Sequence, residues 1–169
     1  YCSRLSPHLT YGTLSVKEIY KKIKDFKYKC EKQGLKYNKR GLSAFSSRLS
    51  WRCHFIQKLE DQPSIENKCM HSSYEGMREK KSNTDKLKAW ETGFTGFPFV
   101  DACMRSLTYN GWITFRMRAM LTSFASYDLW IDWRESGYVL ARLFTDYEPG
   151  IHYSQLQMQS GVTGINTRR

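Results

Sequence analysis

Apolar residues recur at helical intervals through most of this chain, and the interruptions divide it into elements. In "SVKEIYKKIKDFKYKCEKQG", Ile19, Ile23 and Phe26 share one face. Ser15 and Glu18 form a capping-box pattern at its start, and Gly34 can close it. The remaining faces are lysine-rich and read as solvated. "GLSAFSSRLSWRCHFIQKLED" predicts a second helix, with Leu42, Phe45, Leu49 and Ile56 as its apolar face and Arg48, Trp51 and Arg52 along it. Residues 60–83 lose the period. Pro63, Gly76 and "REKKSN" predict a long surface connection there. "DKLKAWETG" is a short helix closed by Gly93, and "TGF" is a turn. A helix over 98–110 then runs from Pro98 to Gly111, with Asp101 and Arg105 spaced to pair at i, i+4.

Trp112 is expected to open the next helix. Ile113, Met117, Met120, Leu121 and Phe124 fall on one stripe, and Phe115, Ala119, Thr122 and Ser126 on the opposite side. A helix apolar or small all round is a buried one. After "DLWIDWRESG" come a helix at "YVLARLF", an acidic turn "TDYEPG" and a short helix at "HYSQLQMQSG". No β alternation or repeat is present. The fold class is all-α, a multi-helical bundle.

Length and charge narrow the function. The 169 residues suffice for one domain with a real core. The net charge is +11 at pI 9.5, which suits a polyanionic partner: nucleic acid, an anionic membrane or a phosphate-bearing cofactor. Five cysteines, none at C-x-x-C spacing, argue against a disulfide framework or a zinc site and for a reducing compartment. No apolar run reaches the ~20 residues needed to cross a bilayer. The start at Tyr1 and the ending "NTRR" read as those of a fragment.

The candidate chemistry begins with Arg118, on a helix with no wet face. A guanidinium taken from water needs an anionic or π partner. Two readings stand side by side: a buried pair with a carboxylate such as Asp146, or a planar, phosphate-bearing ligand. The turn "CSRLSP" raises a related choice. Ser3, Arg4, Leu5 and Ser6 offer backbone N–H groups, hydroxyls and a guanidinium that suit a pyrophosphate, or else a helix cap. No G-x-G-x-x-G or Walker-type loop occurs.

Taken in order, "SRLSPHLTYGTLS", "WETGFTGFPFVDACMRSLTYNGW", "RMRAMLTSF" and "DLWIDWR" resemble the helical FAD-binding domain of the DNA photolyase and cryptochrome superfamily. The resemblance implies that residues 1–169 are part of one such domain, with an α/β antenna domain upstream and further helices downstream. It implies FAD as cofactor, its phosphates held by Ser3, Arg4, Leu5 and Ser6. Phe45 (where the family often has Trp), Arg52, Trp112, Phe115, Arg118, Asp146, Glu148 and His152 take flavin-contacting positions. Arg118 would lie by the isoalloxazine ring and pair with Asp146. Arg116 resembles a position facing DNA phosphate, and Trp51 an aromatic wall of the substrate cavity.

The activity implied is blue-light-driven repair of pyrimidine dimers in DNA, by electron transfer from reduced flavin to a flipped-out lesion. The setting implied is intracellular: cytoplasm in a bacterium, nucleus or organelle in a eukaryote. Departures from the family pattern point to a rival reading. Arg48 replaces a lesion-contacting Glu, His152 replaces an Asn by the flavin, and Phe115 another Asn. An unperturbed imidazole at 152 would titrate near neutral pH and couple flavin redox to pH, or else the ring makes a helix-end hydrogen bond. Of the family's tryptophan chain, Trp133 matches the middle member, Leu156 stands at the inner position and Lys80 roughly at the outer one. Tyr153, Tyr147, Trp130 and Trp90 offer another electron route or plain core packing. The rival is therefore a cryptochrome-like photoreceptor that signals to a protein partner. A third reading is a basic helical nucleic-acid binder without cofactor.

Overall fold

The computed structural model describes residues 2–78 and 84–164, and among these no strand occurs. The chain runs through α1 (Ser6–Thr10), α2 (Val16–Lys32), α3 (Lys39–Asp61), α4 (Thr84–Thr92), α5 (Pro98–Asn110), α6 (Phe115–Ser123), α7 (Trp133–Leu143) and α8 (Pro149–Gln159). The capping box forms: the Ser15 hydroxyl accepts from Glu18 N–H, and the Glu18 carboxylate accepts from Ser15 N–H. Gly111 closes α5 in the left-handed region at φ 65°. A Cβ at that position would collide with Thr145 Cγ2.

Two apolar clusters hold the bundle. Ile19 and Ile23 of α2 pack with Leu49 of α3, flanked by Leu5, Leu9, Leu42 and Phe45. The larger cluster joins Trp90, Met104, Leu107, Leu121, Trp133, Leu140 and Leu156. Helix α8 packs on α3, α6 and α7. Its approach to α3 requires Gly150, since a Cβ there would stand 2.7 Å from Ile56 Cα and Phe55 O.

Several boundaries differ from the sequence pattern. Residues 62–78 are not a loose surface connection. They form two 3-10 turns, Pro63–Glu66 and Ser72–Tyr74, and bury Ile65, Cys69 and Arg78. Gln157 of α8 fastens this segment. Its Nε2 donates to Ile65 O and Lys68 O, and its Oε1 accepts from Met70 N–H at 2.6 Å. Arg134 adds a donation to Asn67 O. Trp112 does not open a helix: the backbone is extended at Thr114, and α6 begins at Phe115.

Nor is α6 buried all round, since Phe115 is 59% exposed and Arg116 is exposed. A π-helical turn, Phe124–Asp128, ends that helix. Asp101 and Arg105 do not pair directly. Asp101 accepts from Thr95 and Gly96, and Arg105 donates to Gly93 O, so the two pin the 93–97 loop from either side. Helix α7 starts at Trp133, five residues before "YVLARLF", because Asp132 caps Arg134 N–H.

Candidate cofactor site and nucleic-acid face

Arg118 sits one turn into α6, and each nitrogen of its guanidinium makes a hydrogen bond. Nε donates to Ile113 O at 2.9 Å, and Nη1 and Nη2 donate to Asp146 Oδ1 and Oδ2, each at 2.9 Å. The carbon of the guanidinium lies 4.2 Å from the Phe144 ring centre and 5.9 Å from that of Trp112. The Asp146 side chain is 3% exposed and that of Arg118 is 23% exposed. This two-pronged pair keeps one orientation, because fork and carboxylate match in two parallel bonds. Thr10 Oγ1, at the end of α1, reaches the backbone carbonyl of Asp146 at 3.5 Å.

The opening turn joins the same place. Trp112 Nε1 donates to Ser6 Oγ at 3.2 Å, and the Arg4 guanidinium stands 5.1 Å from the Trp112 ring centre. Arg4 itself has φ 54°, a left-handed conformation that costs a side-chain-bearing residue energy and is retained where its surroundings demand it. Arg4, Pro7, Trp112, Ile113, Met117 and Thr145 line a cleft of about 490 Å³. Nearby, Arg52 Nη2 donates to Glu148 Oε2 at 3.1 Å, a second partly buried ion pair, linking α3 to the start of α8.

This donor set fits a flat cofactor with a pyrophosphate tail. The Arg118–Asp146 and Arg52–Glu148 pairs are each neutral. Arg4 has no ion-pair partner within 4 Å among the described residues, so its charge is available to an anion. The Ser6 hydroxyl, having accepted from Trp112, keeps its own proton to donate. Ser3 is exposed and Leu5 half-buried beside it. Phe45, by contrast, packs with the α2 cluster.

His152 is buried between rings rather than poised to titrate near neutral pH. Its Nε2 lies 2.9 Å from Gly137 O, and Phe144, Tyr147 and Tyr153 surround it. A carbonyl can only accept, so Nε2 carries a proton. Burial pulls the pKa down to about 4; the Arg118 charge acts the same way and the Gly137 bond opposes both. The near-neutral titration expected of an unperturbed imidazole is therefore absent, because the ring has been taken out of water.

Trp133 is buried, edge-on to Tyr153 with ring centres 6.5 Å apart, and Arg134 lies 4.5 Å over it. Leu156 is buried against the backbone of Gly137. Lys80 lies outside the described residues. Tyr147 O–H donates to Tyr153 Oη, which donates to Glu66 Oε1. Trp90 is fully buried, and Trp130 is half exposed.

The residues read as DNA-facing are all at the surface. Trp51 is 49% exposed and packs on His54 and Phe55 of its own helix, with Arg48 exposed one turn before it. Arg116 lines a separate open groove of about 660 Å³ together with Phe97, Phe99, Phe115, Asp128 and Gln159. Two features of the site had no signal in the apolar period. Phe144 under Arg118 reads as an ordinary core residue. The Ser6–Trp112 bond spans 106 positions and shows only once the chain is folded.

The model of the family described as the FAD binding domain of DNA photolyase matches residues 45–169. The deoxyribodipyrimidine photo-lyase of Streptomyces griseus is 36% identical over 167 residues, which cover 98% of this chain and 33% of that protein. The chain thus spans between a fifth and a third of the length of these curated relatives. Among solved structures, an archaeal photolyase from Sulfolobus tokodaii with two FAD molecules superposes at a TM-score of 0.82. Its identity is 29%, over 98% of this chain and 35% of that one. The cryptochrome of Synechocystis sp. PCC6803 superposes at 0.85 with 25% identity, over all of this chain and 33% of that one. The chain belongs to the family of DNA photolyase FAD-binding domains.

Proposed function

We propose that this chain is the flavin-holding part of a photolyase, a carbon–carbon lyase that splits pyrimidine dimers in DNA under blue light. The observation that carries the reading is the continuous line from the Ser3–Ser6 turn through Trp112 to the Arg118–Asp146 pair. Arg4 and the Ser6 hydroxyl would hold the phosphates of FAD, with backbone N–H groups of the turn beside them. Trp112, Arg118 and Asp146, with Arg52 and Glu148 across the site, would hold its ring systems. When bound, FAD supplies the light absorption and the single electron on which dimer splitting depends. Asp146 fixes the Arg118 fork so that it is already oriented when a ring arrives. Neutral His152 adds no charge there at physiological pH. At the surface, Arg116 would take a backbone phosphate, and Trp51 would stack on an extruded base, a contact worth roughly 1–3 kcal/mol.

The second reading is a flavin photoreceptor without repair, acting on a protein partner. Arg48 favours it: an exposed cation stands on the Trp51 helix where the resemblance implies a hydrogen-bond acceptor for the lesion. One experiment separates the readings. The full-length protein, reconstituted with FAD, is reduced, mixed with dimer-containing DNA and illuminated. Restoration of intact pyrimidines supports repair. Flavin uptake with lesion binding and no restoration transfers the assignment to the photoreceptor. A folded protein that takes up no FAD removes both.

A further inference from the structure

We propose that the outer face of α2 is a second nucleic-acid contact surface, a basic stripe that follows the phosphate backbone of a duplex away from any lesion pocket. Residues 16–40 hold ten basic and three acidic side chains, a net +7 within a chain whose total is +11. The charge is also ordered. Ile19, Ile23 and Cys30 are the buried residues of α2, and the two isoleucines pack in the cluster with Leu49 of α3. Lys17, Lys21, Lys24, Tyr28 and Lys32 follow one another at steps of four, three, four and four, which places them on the side opposite that core. All five are exposed. The stripe runs about 22 Å along the helix at 1.5 Å per residue.

The fold gives these lysines nothing to do. None forms an ion pair within 4 Å among the described residues. Glu18 is already engaged by Ser15 in the capping box. Lys17–Lys21 and Lys21–Lys24 are like-charge neighbours along one face, an arrangement that weakens a helix. Lys17 also stands in the first turn, where the helix dipole disfavours a cation. Lys32, in the last turn, is favoured by the same dipole, but Lys17, Lys21 and Lys24 bear these costs with no ion pair among the described residues, which points to an external anion.

The kind of anion follows from what α2 lacks. A helix that lies on a membrane inserts an apolar face, and on α2 Ile19 and Ile23 are already covered by α3, which leaves only Phe26, half exposed and edge-on to Tyr37, on that side. On the side opposite the isoleucines remains a row of charges that includes one exposed aromatic, Tyr28. An extended row of cations suits the extended row of phosphates on a duplex. The proposal depends on neither flavin nor lesion.

The test is binding of the full-length protein to an undamaged duplex of about 20 base pairs, in the dark, across a salt series from about 50 to 200 mM. K17Q/K21Q/K24Q removes three charges while keeping helix propensity nearly constant. K58Q/K86Q/K88Q removes the same charge elsewhere, and circular dichroism melts verify that both fold. The stripe variant is expected to lower the slope of log K against log salt by about 2.7, or 0.9 per phosphate, with roughly tenfold weaker binding at low salt. The control is expected to lose less than a third of that slope. Equal effects in the two variants would overturn the proposal, since net charge alone would then explain binding. So would unchanged duplex binding with lost capture on phosphatidylserine vesicles, or with lost binding to polyglutamate. Because the duplex carries no dimer and no light is used, failure of repair leaves this result intact, and the reverse holds too.

Discussion

Arg118 and Arg78 both reach into the interior of the bundle, and they are held in different ways. Arg118 is met by a carboxylate that takes both its Nη atoms, and it keeps 23% of its side chain open. Arg78 is 3% exposed and donates its Nε to Ser126 O. Its guanidinium carbon lies 4.8 Å from the ring centre of Trp130 and 5.5 Å from that of Tyr127, and its Nη2 is buried without a hydrogen-bond partner among the described residues. No carboxylate among the described residues pairs with it, and burial pulls its pKa below the ordinary guanidinium value. The contrast separates two uses of a buried cation. At 3% exposure Arg78 is closed to a ligand, and it serves the fold by pinning the π-helical turn. The carboxylate holds Arg118 edge-on and leaves part of it accessible, which a ligand site requires.

The sharpest way to break this comparison is to remove one partner of the ion pair. Asp146→Ala leaves the Arg118 charge partly buried and unpaired. It is expected to cost about 3 kcal/mol, the low end for a broken buried pair because Arg118 is not fully enclosed. Urea unfolding midpoints measure this. FAD uptake should fall in the same variant, and a loss of stability with full uptake would detach the pair from the cofactor site.

His152 tests the same neighbourhood by pH. Its folded pKa of about 4 lies below the ordinary 6.5, so the unfolded chain binds this proton first. The stability tied to the neutral ring is complete above pH 6.5 and is lost as pH falls toward 4, by about 3 kcal/mol across that window. His152→Gln should flatten this limb of the stability–pH curve. A limb that persists in the variant would assign the acid sensitivity to other groups.

Arg78→Met is the milder counterpart. It removes the cation and leaves Ser126 O without its donor, an expected cost of about 1–2 kcal/mol. Uptake of FAD should be unchanged. A cost as large as that of Asp146→Ala would mean that Arg78, too, works through a charge partner.

The same contrast shows what could be read before folding. The Arg118–Asp146 pair was legible because a guanidinium on a helix of apolar and small residues demands an anion, and Asp146 lies in an acidic turn. Helices α2 and α5 were legible because their ends carry local signals in Ser15, Glu18, Pro98 and Gly111. Arg78 was not legible, nor was the segment before it. Residues 62–78 are held by Gln157 and Arg134 bonding to their backbone, and such bonds leave no mark on an apolar period. The pKa of His152 was equally hidden, since it follows from the three rings and one carbonyl that enclose the imidazole.

The smallest expected effect bears on how the opening turn joins Arg118. Ser6→Ala removes the acceptor of Trp112 Nε1 and, with it, a hydroxyl that could donate to phosphate. Trp112 is only half-buried, so water can replace the lost partner, and the stability cost is expected to be about 1 kcal/mol or less. FAD affinity should fall by more than stability does, because water can satisfy the indole in the free protein while a bound phosphate loses a donor outright. Ser6→Thr keeps the hydroxyl and should restore most of the affinity. If Ser6→Ala lowered stability and affinity in equal measure, and Ser6→Thr restored neither, the turn would be a brace for Trp112 alone. Arg4 would then be left as the anion's contact in that loop.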